Sequence, residues 1–160
     1  MLHIDIICLG KIKESFFRDA IDEYKKRLNK YCNLNIIELP DEKIPNNASE
    51  KEIAIIKEKE GNLILNSIKK DSYIISLDLK GKQFTSEELA NKIDNISINS
   101  SSSITFIIGG SLGLSEIVLN KSNELISFSK LTFPHQLFRV FLLEQIYRSF
   151  KIINNETYHK

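Results

Sequence analysis

Short apolar runs alternate along the chain with segments of helical periodicity, and this alternation constrains the fold more than any other feature. The runs are predicted strands at residues 4–9, 34–39, 73–79, 104–108 and 125–128. Between them, apolar residues recur every three or four positions, as in amphipathic helices. Strands separated by helices predict an α/β domain with a mainly parallel sheet and helices on both faces.

Two helices have capping boxes at their predicted starts, Ser49 with Glu52 and Thr85 with Glu88. The other helices are predicted over residues 15–29, near 115–120 and from about 136 to 153. The chain has 160 residues, of which 42% are hydrophobic. A chain of this size predicts a single domain, 1–160, that needs no disulfide or metal for stability. Cys8 and Cys32 are 24 positions apart, which is neither a metal-ligand nor a redox-motif spacing, so both are expected to be reduced.

The charge balance limits the classes of partner. The formal net charge is only +1, which argues against a protein that wraps nucleic acid through bulk charge. Residues 130–160, however, contain five cations and two anions, so a polyanion is expected to meet this end. The N-terminal stretch does not resemble a signal peptide and no apolar run reaches membrane length, which predicts a cytoplasmic protein without membrane contact.

The last predicted helix is apolar around nearly its whole circumference, whereas a helix on one face of a sheet needs only one apolar stripe. Its apolar residues are Leu137, Phe138, Val140, Phe141, Leu142, Leu143, Ile146, Tyr147, Phe150 and Ile152. This helix is expected to be buried on more than one side. The sequence therefore predicts a homodimer with the helix in the interface.

Two segments are candidates for a ligand site at the carboxyl ends of the strands, where open α/β sheets bind ligands. Gly109, Gly110 and Gly113 follow the fourth strand, but their spacing is neither a dinucleotide fingerprint nor a P-loop. These glycines either make a tight turn or bring the backbone close to a ligand. His135, before the last helix, either helps to cap that helix or lies beside a substrate.

Charged and aromatic residues near the C-terminus are further candidates. Glu144 and Arg148 are spaced i, i+4, and with Arg139 nearby they form either a structural ion pair or the border of a cleft. Tyr158, His159 and Lys160 either fray or stack on a base and contact phosphate. The three histidines are scattered along the chain, so no metal site is expected.

A set of ordered motifs resembles the RlmH family, small SPOUT-class enzymes that methylate N3 of a pseudouridine in 23S ribosomal RNA. The motifs are L-G-K at 9–11, P-D-E-K at 40–43, I-I-G-G-S-L-G at 107–113, L-I-S-F-S at 125–129, T-F-P-H-Q at 132–136, E-Q-I-Y-R at 144–148 and Y-H-K at 158–160. The likeness covers essentially the full chain. It implies a trefoil-knotted fold, although knotted chains are rare. It also implies an obligate homodimer and S-adenosylmethionine as methyl donor.

The resemblance also assigns residues to roles. The implied cofactor contacts are Leu77, Gly109, Phe128, Ser129, Lys130, Leu131, Thr132 and Phe133. The implied catalytic group is His135, Glu144, Arg148, Tyr158 and His159, in which His135 or Glu144 takes the proton from N3. Arg139, Arg148 and Lys160 would hold RNA phosphate. We expect the tail of one subunit to complete the pocket of the other, and the assembled ribosome to be the substrate.

Two competing interpretations stay open from the sequence. The first is a Rossmann-like nucleotide-binding enzyme, which the glycine spacing disfavours. The second is a non-catalytic RNA-binding or ribosome-binding module, which lacks the aromatic sheet motif of common RNA modules and leaves the cleft unexplained.

Overall fold

Five strands alternate with five helices in a computed structural model that describes all residues, 1–160. In chain order they are β1 (Leu2–Leu9), α1 (Ser15–Leu28), β2 (Cys32–Leu39), α2 (Glu50–Ser67), β3 (Tyr73–Lys82), α3 (Ser86–Asn99), β4 (Ser103–Ile108), α4 (Glu116–Lys121), β5 (Glu124–Ile126) and α5 (His135–Ile153). The strands form one sheet in the order β2-β1-β4-β3-β5, and every pairing is parallel. The predicted alternation and the parallel sheet are confirmed.

Helices cover both faces of the sheet. On one face, α1, α3 and α5 pack on alternate strand residues such as Ile6 and Phe106, which are fully buried. On the other face, α2 and α4 pack on the neighbouring positions, represented by Ile7 and Ile107. Because both faces are covered, the strands are apolar on both sides, as their continuous apolar runs indicated.

Both capping boxes form as predicted. The hydroxyl of Ser49 accepts a hydrogen bond from the Glu52 amide at 3.2 Å, and that of Thr85 accepts one from the Glu88 amide at 3.1 Å. In each case the glutamate carboxylate accepts from the amide of the capping residue. These bonds satisfy amides that have no partner inside the helix, so the starts of α2 and α3 are set locally.

The end of β3 differs from its prediction. The strand was predicted over residues 73–79, but β3 continues to Lys82 and bends over the end of β5. Leu77 and Lys82 both pair with Ile126, and the Ser127 amide donates to the Lys82 carbonyl at 3.0 Å. The five residues from 78 to 82, called here the β3 arch, therefore straddle the end of β5. The strand predicted over 125–128 ends at Ile126 because the chain leaves the sheet beyond the arch.

The helix α5 contacts α1, α3 and the sheet. These three neighbours, all within one chain, cover much of the apolar surface of α5. The sequence by itself had attributed this burial to a second subunit. Its exposed part still carries large apolar side chains, among them Phe141, which is 36% exposed. The homodimer therefore stays a prediction. No helix of the chain combines the length and the apolar character needed to cross a membrane.

Candidate functional site

A cleft opens at the carboxyl ends of β3, β4 and β5. Its lining comprises Leu77, Asp78, Leu79, Ile108, Gly109, Gly110, Ser111, Gly113, Ile126, Ser127, Phe128, Ser129, Thr132, Phe133, His135 and Phe138. The glycine turn, the segment after β5 and the start of α5 thus meet at one place, as the sequence predicted. Of the eight predicted cofactor contacts, six line the cleft. The other two, Lys130 and Leu131, lie outside its lining and are exposed.

The glycine turn is closely packed. The Gly113 amide donates to the Gly110 carbonyl at 3.1 Å, and Gly113 has a φ of +76°, a conformation that favours glycine. A Cβ on Gly109 would lie 3.1 Å from the Gly113 backbone and from the side chain of Leu114. The turn therefore needs glycine at two positions for different reasons, steric at Gly109 and conformational at Gly113. Because both positions must be glycine, the backbone there forms part of the cleft wall without a side chain in front of it.

The segment after β5 is ordered by its own hydrogen bonds. The Ser127 hydroxyl donates to the Ser129 carbonyl at 3.0 Å, and the Ser129 hydroxyl accepts from the Leu131 amide at 3.0 Å. Edge-to-face packing of Phe133 on Phe138, with centroids 5.7 Å apart, forms an aromatic wall at the start of α5. This wall gives the cleft an apolar side that can exclude water.

Asp78 and His135 are the ionisable residues in the lining. An Asp78 carboxylate oxygen accepts from the Lys80 amide at 3.2 Å, which holds the side chain at the start of the β3 arch. Sequence reasoning missed Asp78. The available signal was an acidic residue directly after Leu77, at the end of an apolar strand. An apolar cleft with one carboxylate suits a ligand that is largely apolar and carries a positive charge.

A second cluster joins the middle of α5 to the C-terminal tail. The Arg148 guanidinium donates to the Glu144 carboxylate at 2.5 Å, and the Tyr158 hydroxyl donates to the same carboxylate at 3.2 Å. Arg148 also lies 3.1 Å from Nδ1 of His159. Four of the five predicted catalytic residues, Glu144, Arg148, Tyr158 and His159, are thus brought together. The tail is docked on its own subunit.

The contacts determine the protonation of this cluster. Arg148 can only donate, so Nδ1 of His159 must accept and its Nε2–H donates to the Glu87 carboxylate at 2.7 Å. Burial raises the pKa of Tyr158 to about 12, so its phenol keeps its proton at neutral pH. The hydrogen bond to Glu144 raises the pKa of Arg148 further. Within one chain, this cluster contains an imidazole, a phenol and a cation that are joined by hydrogen bonds.

The cleft and the tail cluster are separated along α5. His135, which lines the cleft, precedes Arg148 by 13 residues, a rise of about 20 Å along the helix axis. Glu144 lies between them, in a neighbouring groove that shares Phe128, Ser129 and Phe133 with the cleft. Tyr158 and His159 line neither the cleft nor this groove. A single chain therefore does not bring the predicted catalytic residues into one site.

Arg139 occupies a different position from the one expected for an RNA contact. It is 2% exposed and donates to the Glu38 carboxylate at 2.6 Å and to the Gly10 carbonyl at 3.3 Å. These bonds join the first turns of α5 to the ends of β1 and β2. The low exposure and these two bonds favour a structural role for Arg139, and its contact with RNA phosphate stays a prediction. Lys160 is exposed, and Arg148 is partly exposed.

No three His, Cys, Asp or Glu side chains form a cluster that could hold a metal ion. The expectation that catalysis needs no metal stays a prediction.

A family model described as "Predicted SPOUT methyltransferase" matches residues 2–159. The chain belongs to the SPOUT methyltransferase family. Curated relatives named "Ribosomal RNA large subunit methyltransferase H" come from Clostridium botulinum strains. Those of strains Eklund 17B and Kyoto are 62% and 64% identical over 159 residues, covering 99% of this chain and 100% of each relative. Membership confirms the resemblance and identifies the chain as a methyltransferase. It also implies the trefoil-knotted form of the fold.

Solved structures support the same fold at low sequence identity. A probable methylase family protein from Haemophilus influenzae aligns with a TM-score of 0.56 at 15% identity, over 98% of this chain and 70% of its own. A probable methyltransferase from Bordetella pertussis aligns with a TM-score of 0.59 at 8% identity, over 92% of this chain and 93% of its own.

Proposed function

We propose that this methyltransferase transfers a methyl group from S-adenosylmethionine to N3 of a pseudouridine in 23S ribosomal RNA. The observation that carries the proposal is the cleft at the ends of β3, β4 and β5, in a chain that is 62% identical over nearly its whole length to a ribosomal RNA large subunit methyltransferase. S-adenosylmethionine supplies a methyl group that its sulfonium charge already activates. The protein therefore has to align the reactants and exclude water.

The residues of the cleft fit this donor. Leu77, Phe128 and Phe133 form apolar walls for an adenosyl group, and the bare backbone at Gly109 permits close approach. The Asp78 carboxylate attracts a cationic ligand by Coulomb attraction, which is strong in a partly apolar cleft. These features support the donor as cofactor, in preference to a nicotinamide dinucleotide whose phosphates would face the Asp78 carboxylate.

The N3 proton of the target base must be removed, and His135 is the favoured acceptor. Imidazole changes its charge near neutral pH, and His135 lies in the cleft lining. Glu144 is the second candidate, but its carboxylate already accepts hydrogen bonds from Arg148, Gln145 and Tyr158. These bonds occupy the carboxylate oxygens that would have to receive the proton.

The working enzyme is proposed to be a homodimer in which the tail of one subunit completes the cleft of the other. The separation between His135 and the Tyr158–His159 tail within one chain supports this arrangement, because a single active site needs both. Phe141, at 36% exposure, and Leu131, at 68%, are apolar side chains near the cleft that a partner would cover. In this site, Tyr158 and His159 would cover the target base, and Arg148 and Lys160 would hold phosphate.

The preferred substrate is proposed to be the assembled ribosome, which locates the protein in the cytoplasm. The basic end carries only a small net charge, so binding to naked RNA should be modest. Ribosomal proteins and folded RNA supply additional contacts. Methylation of a truncated RNA hairpin as fast as intact particles would contradict this part of the proposal.

The decisive experiment is transfer of a tritiated methyl group from S-adenosylmethionine to ribosomes from a strain that lacks this gene, followed by mapping of the modified nucleotide. We expect one modified pseudouridine in 23S RNA. Deletion of residues 158–160 should abolish transfer while leaving cofactor binding intact. Absence of transfer by the wild-type enzyme, or methylation at another kind of atom, rejects the proposal.

Calorimetry separates the competing functions. We expect binding of S-adenosylmethionine and none of NADH, and Asp78→Asn should weaken the binding by about tenfold through loss of one charge interaction. NADH binding would favour the Rossmann-like enzyme. Tight RNA binding without any binding of the methyl donor would favour the non-catalytic module.

A further inference from the structure

The ends of α1 and α5 form a surface on which cations lie over tyrosine rings. We call it the tyrosine–cation surface; its members are Tyr24, Arg27, Lys30, Tyr31, Tyr147 and Lys151. The Arg27 guanidinium lies 5.5 Å from the ring centre of Tyr24 and 5.6 Å from that of Tyr147. The Lys30 ammonium lies 4.8 Å from the ring of Tyr31. Such contacts hold flexible cationic side chains in place.

Two of these cations are accessible. The side chains of Arg27 and Lys30 are 41% and 64% exposed, whereas Lys151 is 14% exposed and pairs with Glu156 at 2.6 Å. Arg27 pairs with Glu23 on the exposed surface, and Lys30 approaches Glu156 only at 3.8 Å. Exposed ion pairs are worth little in water. An incoming phosphate can therefore compete for Arg27 and Lys30.

The surface continues into the proposed RNA-contacting tail. Tyr147 packs edge-to-face against Tyr158 with ring centres 5.0 Å apart. Arg148 lies 4.8 Å from the ring centre of Tyr158. Lys151 and Tyr31 also hold Glu156, the residue two positions before Tyr158, at 2.6 Å and 2.8 Å. Cations on this surface thus lie beside the residues proposed to cover the target base.

From this continuity we infer that the tyrosine–cation surface binds the phosphodiester backbone of the RNA next to the target nucleotide, with Arg27 and Lys30 each contacting a phosphate. The inference rests on the proposed function and adds to it a surface outside the C-terminal residues that the sequence indicated. Arg139, which was expected to hold RNA phosphate, is buried. In this inference Arg27 and Lys30 hold the phosphates instead. The tyrosine faces are already covered by cations, which favours phosphate contact over base stacking.

The test compares two double variants of the full-length enzyme. Arg27→Gln with Lys30→Gln removes both accessible cations. Lys51→Gln with Lys59→Gln is the matched control, because both lysines are exposed on α2, across the sheet, and Lys59 is also ion-paired, with Glu42. We expect the first variant to raise KM for ribosomal particles about three- to tenfold at 0.1 M salt with little change in kcat. The control should behave like the wild type.

Binding measurements make the test independent of catalysis. The salt dependence of binding to ribosomal RNA should weaken, its logarithmic slope falling by about 1.5 when two phosphate contacts are lost. Affinity for S-adenosylmethionine and the molecular mass in solution should stay unchanged. An unchanged salt slope, an equal effect of the control variant, or dissociation of a dimer into monomers would overturn the inference. Failure of the wild type to methylate ribosomes would instead overturn the proposed function.

Discussion

Glu156 fastens the C-terminal tail to the body of the protein. Its carboxylate accepts hydrogen bonds from the Tyr31 hydroxyl at 2.8 Å and from the Lys151 ammonium at 2.6 Å. Its amide donates to the Lys151 carbonyl, while Asn155 turns the chain with a φ of +53°. This combination is a helix C-terminal motif reinforced by an ion pair. The direction of residues 157–160 therefore depends also on a side chain outside the proposed catalytic group, in addition to the contacts of Tyr158 and His159.

Glu156→Gln is expected to loosen the tail at neutral pH, because the amide cannot form the ion pair with Lys151. Carboxypeptidase should release Lys160 and His159 faster from this variant than from the wild type. Glu23→Gln, which removes an exposed carboxylate on α1, is the control and should be digested at the wild-type rate. Equal rates for all three proteins would show that Glu156 does not hold the tail.

The same contact predicts a pH dependence. The Lys151 hydrogen bond, followed by that from Tyr31, lowers the pKa of Glu156 below its ordinary value. A carboxyl group with a lowered pKa stabilises the folded state above its ordinary pKa, and the contribution is lost as pH falls through the folded value. Hydrogen-exchange protection of residues 155–160 should therefore fall below about pH 4. The Glu156→Gln variant should lack this step, and a step that persists in it would contradict the assignment.

From its burial and its bonds to Glu38 and Gly10, we expect Arg139 to contribute to stability and not to RNA binding. Arg139→Gln leaves Glu38 and the Gly10 carbonyl without their partner, and we expect a loss of about 2 kcal/mol in the free energy of unfolding. Urea denaturation measures this loss, with the exposed Arg18→Gln as control. The salt dependence of RNA binding should not change in either variant. Normal stability combined with a weaker salt dependence would restore Arg139 to the RNA surface.

At the scale of elements, the β3 arch determines how β5 leaves the sheet. Gly81, in the arch, lies so close to β5 that a Cβ would be 2.6 Å from the Ile126 backbone. The backbone at Ile126 cannot move away freely, because Ile126 pairs with Leu77 before the arch and with Lys82 at its end. The arch therefore positions residues 127–133, which form one wall of the cleft. A turn-forming glycine was visible in the sequence, but its close approach to β5 was not.

Gly81→Ala is expected to destabilise the protein by about 1–3 kcal/mol, because overpacking against backbone forces the arch away from β5. Affinity for S-adenosylmethionine should fall as well, since the cleft wall would move. Gly110→Ala is the stability control, because its Cβ would meet only Leu9 side-chain atoms at an ordinary 3.4 Å. Thermal denaturation with calorimetric titration measures both effects. Equal melting temperatures for the two variants would refute the role of the arch.

At the scale of the whole molecule, the proposed active site requires two chains. The cleft is built from strand ends and the start of α5, whereas the tail cluster lies farther along the same helix. Only a second copy can bring a tail to a cleft if each tail stays docked on its own α5. A homodimer of this kind has two equivalent composite sites.

Complementation between two inactive variants tests this arrangement. One variant carries Asp78→Lys, which repels a cationic donor from the cleft, and the other lacks residues 158–160. Differently tagged chains are coexpressed so that the mixed dimer can be purified. We expect it to recover about half of the wild-type methyl transfer, because one of its two composite sites is intact. A mixed dimer as inactive as its parents would show that each site is built within one subunit.

The order of strands and helices, the two capping boxes and the position of the cleft follow from local patterns. Apolar periodicity, cap residues and turn glycines act over a few residues, and strand ends in a parallel sheet meet at one edge. For this reason the sequence could predict that Gly109 and His135 lie at the same edge of the sheet, where both line the cleft. The family motifs added the kind of chemistry, which periodicity alone does not determine.

Tertiary structure alone decided the contacts of Arg139, Asp78 and Gly81. A charged residue on an apolar helix can face solvent, a cleft or a carboxylate on another element, and only the long-range contact with Glu38 selected the last of these. The β3 arch and the docking of the tail at Glu144 likewise join residues far apart in the chain. Such contacts depend on how whole elements pack, and packing geometry leaves no periodic signal in the sequence.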